Sequence, residues 1–489
     1  MFERKVFGAM TLVAALMSGT AAMALSTDEV WADWQATMVK AGATVSAATE
    51  VRGGGDLTLN GVTLSYEGGA KVTMAEVALV ALDDGSVEIT PSDISVTASA
   101  GQTITVGQEG LMVTVIEDAG GLGYGIVADK LDIAFDSGDA GTGSKQAVKF
   151  RFDTLDGSYE RTADAALLNL VAAEMFYDVT QTDPLASVDS TQTASLQDME
   201  LLSEMTIPEG VILTALDSPE AFRAAVEAGL SLVGEIKQGT SQSTIIERGG
   251  PFAFSADITS TGGTTGIDLS ADGVAIGGQA DGLAVTVPPG AMPTEIKGSL
   301  DSMAFEFAMP VMSTEEAGDY LYQVSLKNLV LSDEAWAMFD PTGALERGPA
   351  DMDIDVGGTA KLDVLDLMAA RDDGEPAAAT PELLTMDIRS LGLKLAGAAL
   401  SGSGAFTFDN SMVAMGGPPM PIGTASVRLE GGNKLIEGLI AMGVLTEEDA
   451  GGARMMMAMF GKMAGDDVLT SDIEAKAGGS IFVNGQQIQ

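Results

Sequence analysis

Between residues 45 and 160, apolar and polar side chains alternate with a period of two. Leu57, Leu59, Val62, Leu64 and Tyr66 surround Asn60-Gly61, a hairpin or bulge signal inside an alternating run. Val87 and Ile89, then Ile94 and Val96, flank Pro91-Ser92. Leu131, Ile133 and Phe135 alternate with Asp132 and Asp136, and Val148, Phe150 and Phe152 with Lys149, Arg151 and Asp153. Such segments bury one face and wet the other, as antiparallel sheets do. The pattern returns over residues 231–331, where Ala271-Asp272-Gly273-Val274-Ala275-Ile276 is echoed by Ala280-Asp281-Gly282-Leu283-Ala284-Val285. The echo reads as two short strands at successive sheet edges. Strands are also expected at residues 388–395 and 405–408, and the chain closes on Ile481-Phe482-Val483 meeting an Asn484-Gly485 turn.

A helical period interrupts this pattern in few places. Ser26 stands three residues before Glu29, the capping-box spacing, and Val30, Trp34 and Met38 follow at i, i+4 and i+8 until Gly42. Docking on a sheet is the expected role of this stripe, with a peptide-binding face as the other option. Ser218-Pro219-Glu220 starts a second helix, with Phe222 and Val226 on its apolar side and Gly229 at its end. Short helices are expected after Ser332, with Trp336 and Phe339, and after Asn433, with Leu435, Leu439 and Met442. Thr446, three before Asp449, caps a last helix whose stripe is Met455, Met456, Met459 and Met463. Residues 164–177 fit a helix or a buried strand equally well.

Together these predict a mainly β chain with covering helices (α+β), made of extended, largely antiparallel curved sheets and elongated overall. The expected division is a leader over residues 1–24, a sheet-rich lobe over 25–190, and a second lobe over 191–489 with C-terminal helices and a loop at 371–381.

Composition mostly removes possibilities. The chain has 489 residues, 46% of them apolar, enough for a real core and too many for wholesale disorder. It contains no histidine and no cysteine, which excludes Ser-His-Asp and Cys-His catalysis, Cys/His zinc sites and thiol chemistry. The net charge of −45 argues against nucleic acid and against loose docking on anionic headgroups.

The N-terminus has the layout of a secretory signal. Arg4 and Lys5 precede an apolar stretch over residues 6–17, and small residues end at Ala22-Met23-Ala24. About 20 residues are needed to span a bilayer, so cleavage after Ala24 is expected rather than anchoring. Cleavage takes Glu3, Arg4 and Lys5, leaving a mature chain that is more acidic still. The expected location is the periplasm, or outside the cell, with no stable transmembrane anchor.

Asp351, Asp353 and Asp355 invite a calcium reading, but Val356 and Leu362 stand where an EF-hand needs glycine and a final carboxylate. Met352, Ile354 and Val356 alternate with the acids, so a strand with an acidic face is expected. Gly53-Gly54-Gly55-Asp56 and Asp136-Ser137-Gly138-Asp139 read as turns, and Gly121-Leu122-Gly123-Tyr124-Gly125 as a hairpin tip. Spacing nominates no carboxylate pair for glycoside chemistry. No catalytic, cofactor-binding or metal residue is nominated. The candidate apolar lining is Met455, Met456, Met459 and Met463, whose pliable thioethers suit acyl chains or an apolar segment.

Gly432-Asn433-Lys434-Leu435, Gly443-Val444-Leu445, the Met-rich helix, Asp466-Asp467-Val468-Leu469 and residues 479–486 resemble the domain of unknown function family 2125, exported bacterial proteins. The Asp340-Pro341 segment running to Arg347-Gly348-Pro349-Ala350 resembles it too. The family implies no activity. More weakly, the layout is similar to AsmA-like envelope proteins, which implies a link to outer-membrane assembly or lipid movement over apolar-lined sheets. The expected function is therefore non-enzymatic: an envelope protein that holds a lipid, another apolar ligand or an envelope partner against a sheet. A carboxylate-dependent glycan hydrolase and a purely structural interaction protein are the alternatives.

Overall fold

The computed structural model describes residues 25–488, apart from 41, 67–68, 98–102, 119–120, 139–142, 163–164, 212–215, 217, 250–252, 291, 365–381 and 414–416. The signal segment with its cleavage site at Ala24 and the loop at 371–381 lie outside the described residues. The chain divides into two compact units, Met1–Asp257 and Ile258–Gln489. The lobe boundary expected at residues 190/191 instead falls within a strand, Val188–Thr206.

Unit 1 opens with helix α1 (Thr27–Lys40). The predicted capping box forms: Glu29 N–H donates to Ser26 Oγ at 3.2 Å, and Ser26 N–H to the Glu29 carboxylate at 2.9 Å. Gly42, at φ 77°, ends the helix. Val30, Trp34 and Met38 are buried as the spacing required, and Trp31 joins them edge-on to Trp34 at 5.1 Å. They pack into the core of unit 1 with Leu57, Leu59, Val62, Leu79, Val115 and Tyr124.

The strands of unit 1 follow a repeated scheme in which two short strands share the edge of one long neighbour. β1 (Ala43–Ser46) and β2 (Thr49–Gly53) both pair with β3 (Asp56–Tyr66). β5 (Val87–Pro91) and β6 (Ile94–Thr97) both pair with β4 (Lys71–Ala81). β7 (Thr103–Glu109) and β8 (Met112–Asp118) share β9 (Gly121–Gly138). β10 (Lys145–Arg161), β11 (Ala165–Asp183) and β12 (Val188–Thr206) follow as a meander, and β13 (Ser231–Gln238) and β14 (Ser241–Gly249) share the far edge of β12. Residues 165–177 thus resolve as strand, and 164 lies outside the described residues. Helix α2 (Pro219–Glu227) starts at Ser218, whose Oγ accepts from Ala221 N–H at 3.1 Å, and β15 (Phe254–Ser260) runs across the division between the units.

The long strands do not keep one face throughout. In β3, Leu57 and Leu59 are buried, and so are Val62 and Leu64, which a strict two-residue alternation forbids. The strand turns over at Gly61, at φ 61°, where pairing lapses between Asn60–Glu76 and Val62–Met74 without a change of register. The Asn-Gly pair lies inside one strand and is not a hairpin. Phe152 and Leu155 are likewise buried on one side of β10 around Thr154 at φ 54°, and Ala194 and Met199 in β12 around Asp198 at φ 51°.

Unit 2 repeats the device. β16 (Gly262–Leu269) pairs with β17 (Val274–Val287), and β18 (Ile296–Met309), β19 (Met312–Leu331) and β20 (Ala350–Asp363) extend the meander. The Asp-Gly echo lies within one strand rather than at two sheet edges. Asp272-Gly273 precedes β17, whereas Asp281-Gly282, with Gly282 at φ 57°, lies inside it at a lapse in pairing that leaves the register unchanged. Two strands away on β19, Asn328, at φ 58°, donates from its backbone to Asp351 Oδ1 at 2.8 Å and from its side chain to Asp301 Oδ2 at 2.9 Å. β21 (Glu382–Leu383) and β22 (Thr385–Leu395) pair with β20, followed by β23 (Ala398–Asp409) and β24 (Met420–Glu430). β25 (Lys462–Gly465), β26 (Val468–Ala475), β27 (Ile481–Val483) and β28 (Gln486–Gln487) close the chain, the last two joined by the expected Asn484-Gly485 turn.

The expected α+β class with covering helices is corrected: the chain is mainly β. Every described register is antiparallel. The described helices are α1, α2, α3 (Asp333–Phe339), α4 (Gly432–Ala441) and α5 (Glu447–Phe460), each too short to roof strands of this number and length. Only α1 buries a full stripe of large side chains; α3 buries Ala335 and Trp336, and α5 buries only Ala450. Alternation required something to cover the apolar faces, but helices are not what covers them.

Candidate functional site

Unit 2 carries an uncovered apolar surface among the described residues, which strand register builds row by row. Ile276, Phe307, Tyr322 and Val356 stand opposite one another on β17, β18, β19 and β20. The next row is Gly278, Phe305, Val324 and Ile354, and the one after is Ala280, Met303, Leu326 and Met352. β22 continues the face through Leu391 and Leu393, β23 and β24 through Leu400 and Leu429, and β26 through Leu469. Phe307 stacks against Phe305 at 5.4 Å and Tyr322 at 5.0 Å. Ile276 is 44% exposed, Tyr322 46% and Leu393 45%, too open for an interior and too contiguous for scattered surface residues.

The other face of the same strands is charged and internally compensated. The Asp351, Asp353 and Asp355 array lies there, on the strand the alternation predicted. Lys394 Nζ approaches Asp351 at 3.8 Å, Lys327 Nζ donates to Asp353 at 3.3 Å, and Arg389 donates to Asp355. Ser390 Oγ also donates to Asp353. Each carboxylate thus has a cationic neighbour, and among the described residues no group of three acidic side chains could hold a metal ion.

Unit 1 carries a smaller version of the same division. Ile133, Phe150, Tyr177 and Ala194 form one row of its apolar face, and Asp132, Arg151, Phe176 and Ser195 form the row behind it. Arg151 lies 3.8 Å above the Phe176 ring and 3.2 Å from Asp153, beside a hollow of about 480 Å³.

Of the four nominated methionines, Met455, Met456 and Met459 do not join the unit 2 face, whereas Met463 stands opposite Leu469 at its end. Met455, Met456 and Met459 project outward from α5, and Met463 follows on β25, all between 57% and 80% exposed. Met457 instead faces α4, its sulfur 3.3 Å from where a Cβ on Gly432 would stand. Mild peroxide is expected to oxidise Met455, Met456, Met459 and Met463 well before Met38, which is 1% exposed; peptide mass mapping checks the order. The sequence reading missed Ile276, Phe305, Phe307 and Tyr322. Their signal was present in the aromatic alternation of Phe305-Glu306-Phe307 and Tyr320-Leu321-Tyr322.

Around α4 and α5, the short C-terminal motifs meet. Asp467, in the turn between β25 and β26, accepts from Asn433 N–H at 2.9 Å and Lys434 N–H at 3.1 Å, capping α4 from a distant part of the chain. Asp340 is fully buried and accepts from Ala344 and Leu345 N–H at 2.9 and 3.0 Å, and Leu345 then packs where α4 carries Gly438. Asn484 donates to the Phe460 carbonyl at 2.7 Å and accepts from Asp472 N–H at 3.0 Å, tying the end of α5 to the final hairpin. Residues 218–479 match the family described as an uncharacterized protein conserved in bacteria (DUF2125). The chain belongs to this family. No curated protein and no solved structure matches it. Within the matched range, Asp340, Asn433 and Asp467 make bonds that hold helices to neighbouring segments.

Burial pushes the Asp467 carboxyl up, but the amides of Asn433 and Lys434 and the Asn433 side chain outweigh this and hold it below the usual carboxylate range. Asp467→Ala should cost the DUF2125 fold about 1 kcal/mol, the ordinary value of a helix cap. Because the folded value lies below the unfolded one, this contribution is complete above the unfolded value and is lost as pH falls through the folded one. Urea midpoints of parent and variant should therefore converge as pH drops below about 4.

Proposed function

We propose that this DUF2125 chain is an exported envelope protein that holds a lipid or another apolar ligand against the open face of unit 2, without chemistry on it. The observation that carries this reading is the run of facing apolar rows from Ile276, Phe307 and Tyr322 to Leu393, left partly exposed on the side opposite the paired Asp351, Asp353 and Asp355. Water against such a surface is unfavourable by roughly 25 cal/mol for each Å² of apolar area, and an acyl chain lying along the rows removes that cost. The leader expected over residues 1–24 supplies the route out of the cytosol. The sequence layout's weak resemblance to AsmA-like envelope proteins, which no match to a known structure supports, is consistent with a lipid-handling context. Among the described residues no helix is long and apolar enough to cross a membrane.

Native mass spectrometry of the full chain, expressed with its leader and purified without detergent, tests both parts. The expected result is a mass beginning after Ala24 and carrying an extractable lipid. A leader still attached in the cytosolic fraction removes the export half. A ligand-free mass that stays unchanged after incubation with phospholipid vesicles removes the binding half.

A further inference from the structure

We propose that the outer face of α5 is a thioether site for a soft monovalent cation, Cu(I) or Ag(I), formed by Met455, Met456 and Met459. The chain has neither cysteine nor histidine, so methionine sulfur is the only soft donor it can offer. Met455 and Met459 are related by i, i+4 and Met456 and Met459 by i, i+3, the two spacings that bring side chains together on a helix surface. Helical side chains lean toward the N-terminus, so Met455 and Met456 are directed toward the turn that carries Gly451 and Gly452. A Cβ built at either glycine meets no atom within 4 Å, so no side chain covers that turn and an ion can approach the thioethers from solvent.

Their exposure is the second observation. Met455 is 71% exposed, Met456 59% and Met459 57%, while the same helix packs through Ala450 and Met457. The helix thus has an inner side that needs an apolar residue and an outer side that does not, yet methionine occupies both. Met463, 80% exposed on the adjoining strand, offers a further sulfur. Nearby cations are directed elsewhere: Arg454 lies 4.0 Å from Glu437, and Lys462 lies 3.7 Å from Asp472. Glu447 and Glu448 in the first turn and the net charge of −45 favour a cation at this helix.

The test uses the full chain after leader removal, titrated anaerobically with Cu(I) against a chromophoric Cu(I) chelator and, separately, with Ag(I) by calorimetry. One equivalent should bind, and the labelled methyl signals of Met455, Met456 and Met459 should shift while that of Met38 stays in place. The triple variant Met455→Leu, Met456→Leu, Met459→Leu keeps the apolar surface and removes the sulfur. Its affinity should fall at least about tenfold, or about 1.4 kcal/mol. Equal binding by parent and triple variant, no binding by the parent, or shifts confined to other methionines would each overturn the proposal. The methyl shifts are read on the parent, so they decide even if the variant does not fold.

Discussion

Trp34→Ala is expected to destabilise unit 1 by about 3–5 kcal/mol, the usual cost of emptying a large aromatic site. Trp34 is 3% exposed and meets Trp31 edge-on at 5.1 Å, and both belong to the cluster that includes Leu57, Leu59, Val62 and Tyr124. Neighbours drawn from several strands cannot collapse into the space together, so both the transfer and cavity contributions apply. Urea unfolding followed by far-ultraviolet circular dichroism should show the unit 1 transition at lower denaturant with an unchanged slope. Val39→Ala on the same helix is the control: Val39 is 65% exposed, and its loss should stay within about 0.5 kcal/mol. A Trp34→Ala cost below about 1 kcal/mol would mean that α1 is not part of the core.

That helix was legible because every signal for it was local. Ser26 and Glu29 are three apart, Val30, Trp34 and Met38 share one face, and Gly42 can adopt a positive φ. The face changes at positive-φ residues such as Gly61 and Thr154 were far less legible, because they move the apolar set to the other side without changing which residues are apolar. In β11, Leu168, Leu170 and Ala172 face the core before the change, and Met175 and Tyr177 after it. Leu167 and Val171 are left 36% and 44% exposed on the other side. Read as one window, those residues look apolar on every side, which is why helix and buried strand could not be separated. Asp-Gly was ambiguous for the same reason, since the pair before β17 and the pair inside it differ only in what lies across the ladder.

The candidate site was obscured by an assumption about covering. One-sided strands suggest a roof, and the methionines of α5 look like its lining. Register places those methionines outside and leaves aromatic and branched residues from separate strands to meet across the sheet. Ile276 and Tyr322 are 46 positions apart in the chain. They come within one row only because Phe307 pairs with both. No spacing in the linear sequence announces such a row, whereas the capping of α4 by Asp467 at least left recognisable short motifs at both ends.

Introducing charge on the apolar rows should abolish ligand binding while sparing the fold. The double variant Ile276→Asp, Tyr322→Asp places two carboxylates on either side of Phe307, at positions already 44% and 46% exposed. In the ligand-free chain both carboxylates keep their water, so the urea midpoint should change little. An acyl chain lying across the row must strip that water, at a cost of several kcal/mol for an unpaired charge. Binding of a fluorescent polyene fatty acid should weaken at least about a hundredfold, or roughly 2.7 kcal/mol. The control exploits the two-residue period: Ala275→Asp, Gln323→Asp alters adjacent positions on the same strands, whose side chains point to the polar face. That variant should bind like the parent. If both variants lose binding equally, long-range repulsion of the acidic chain is responsible; if neither does, the rows built around Phe307 do not hold the ligand.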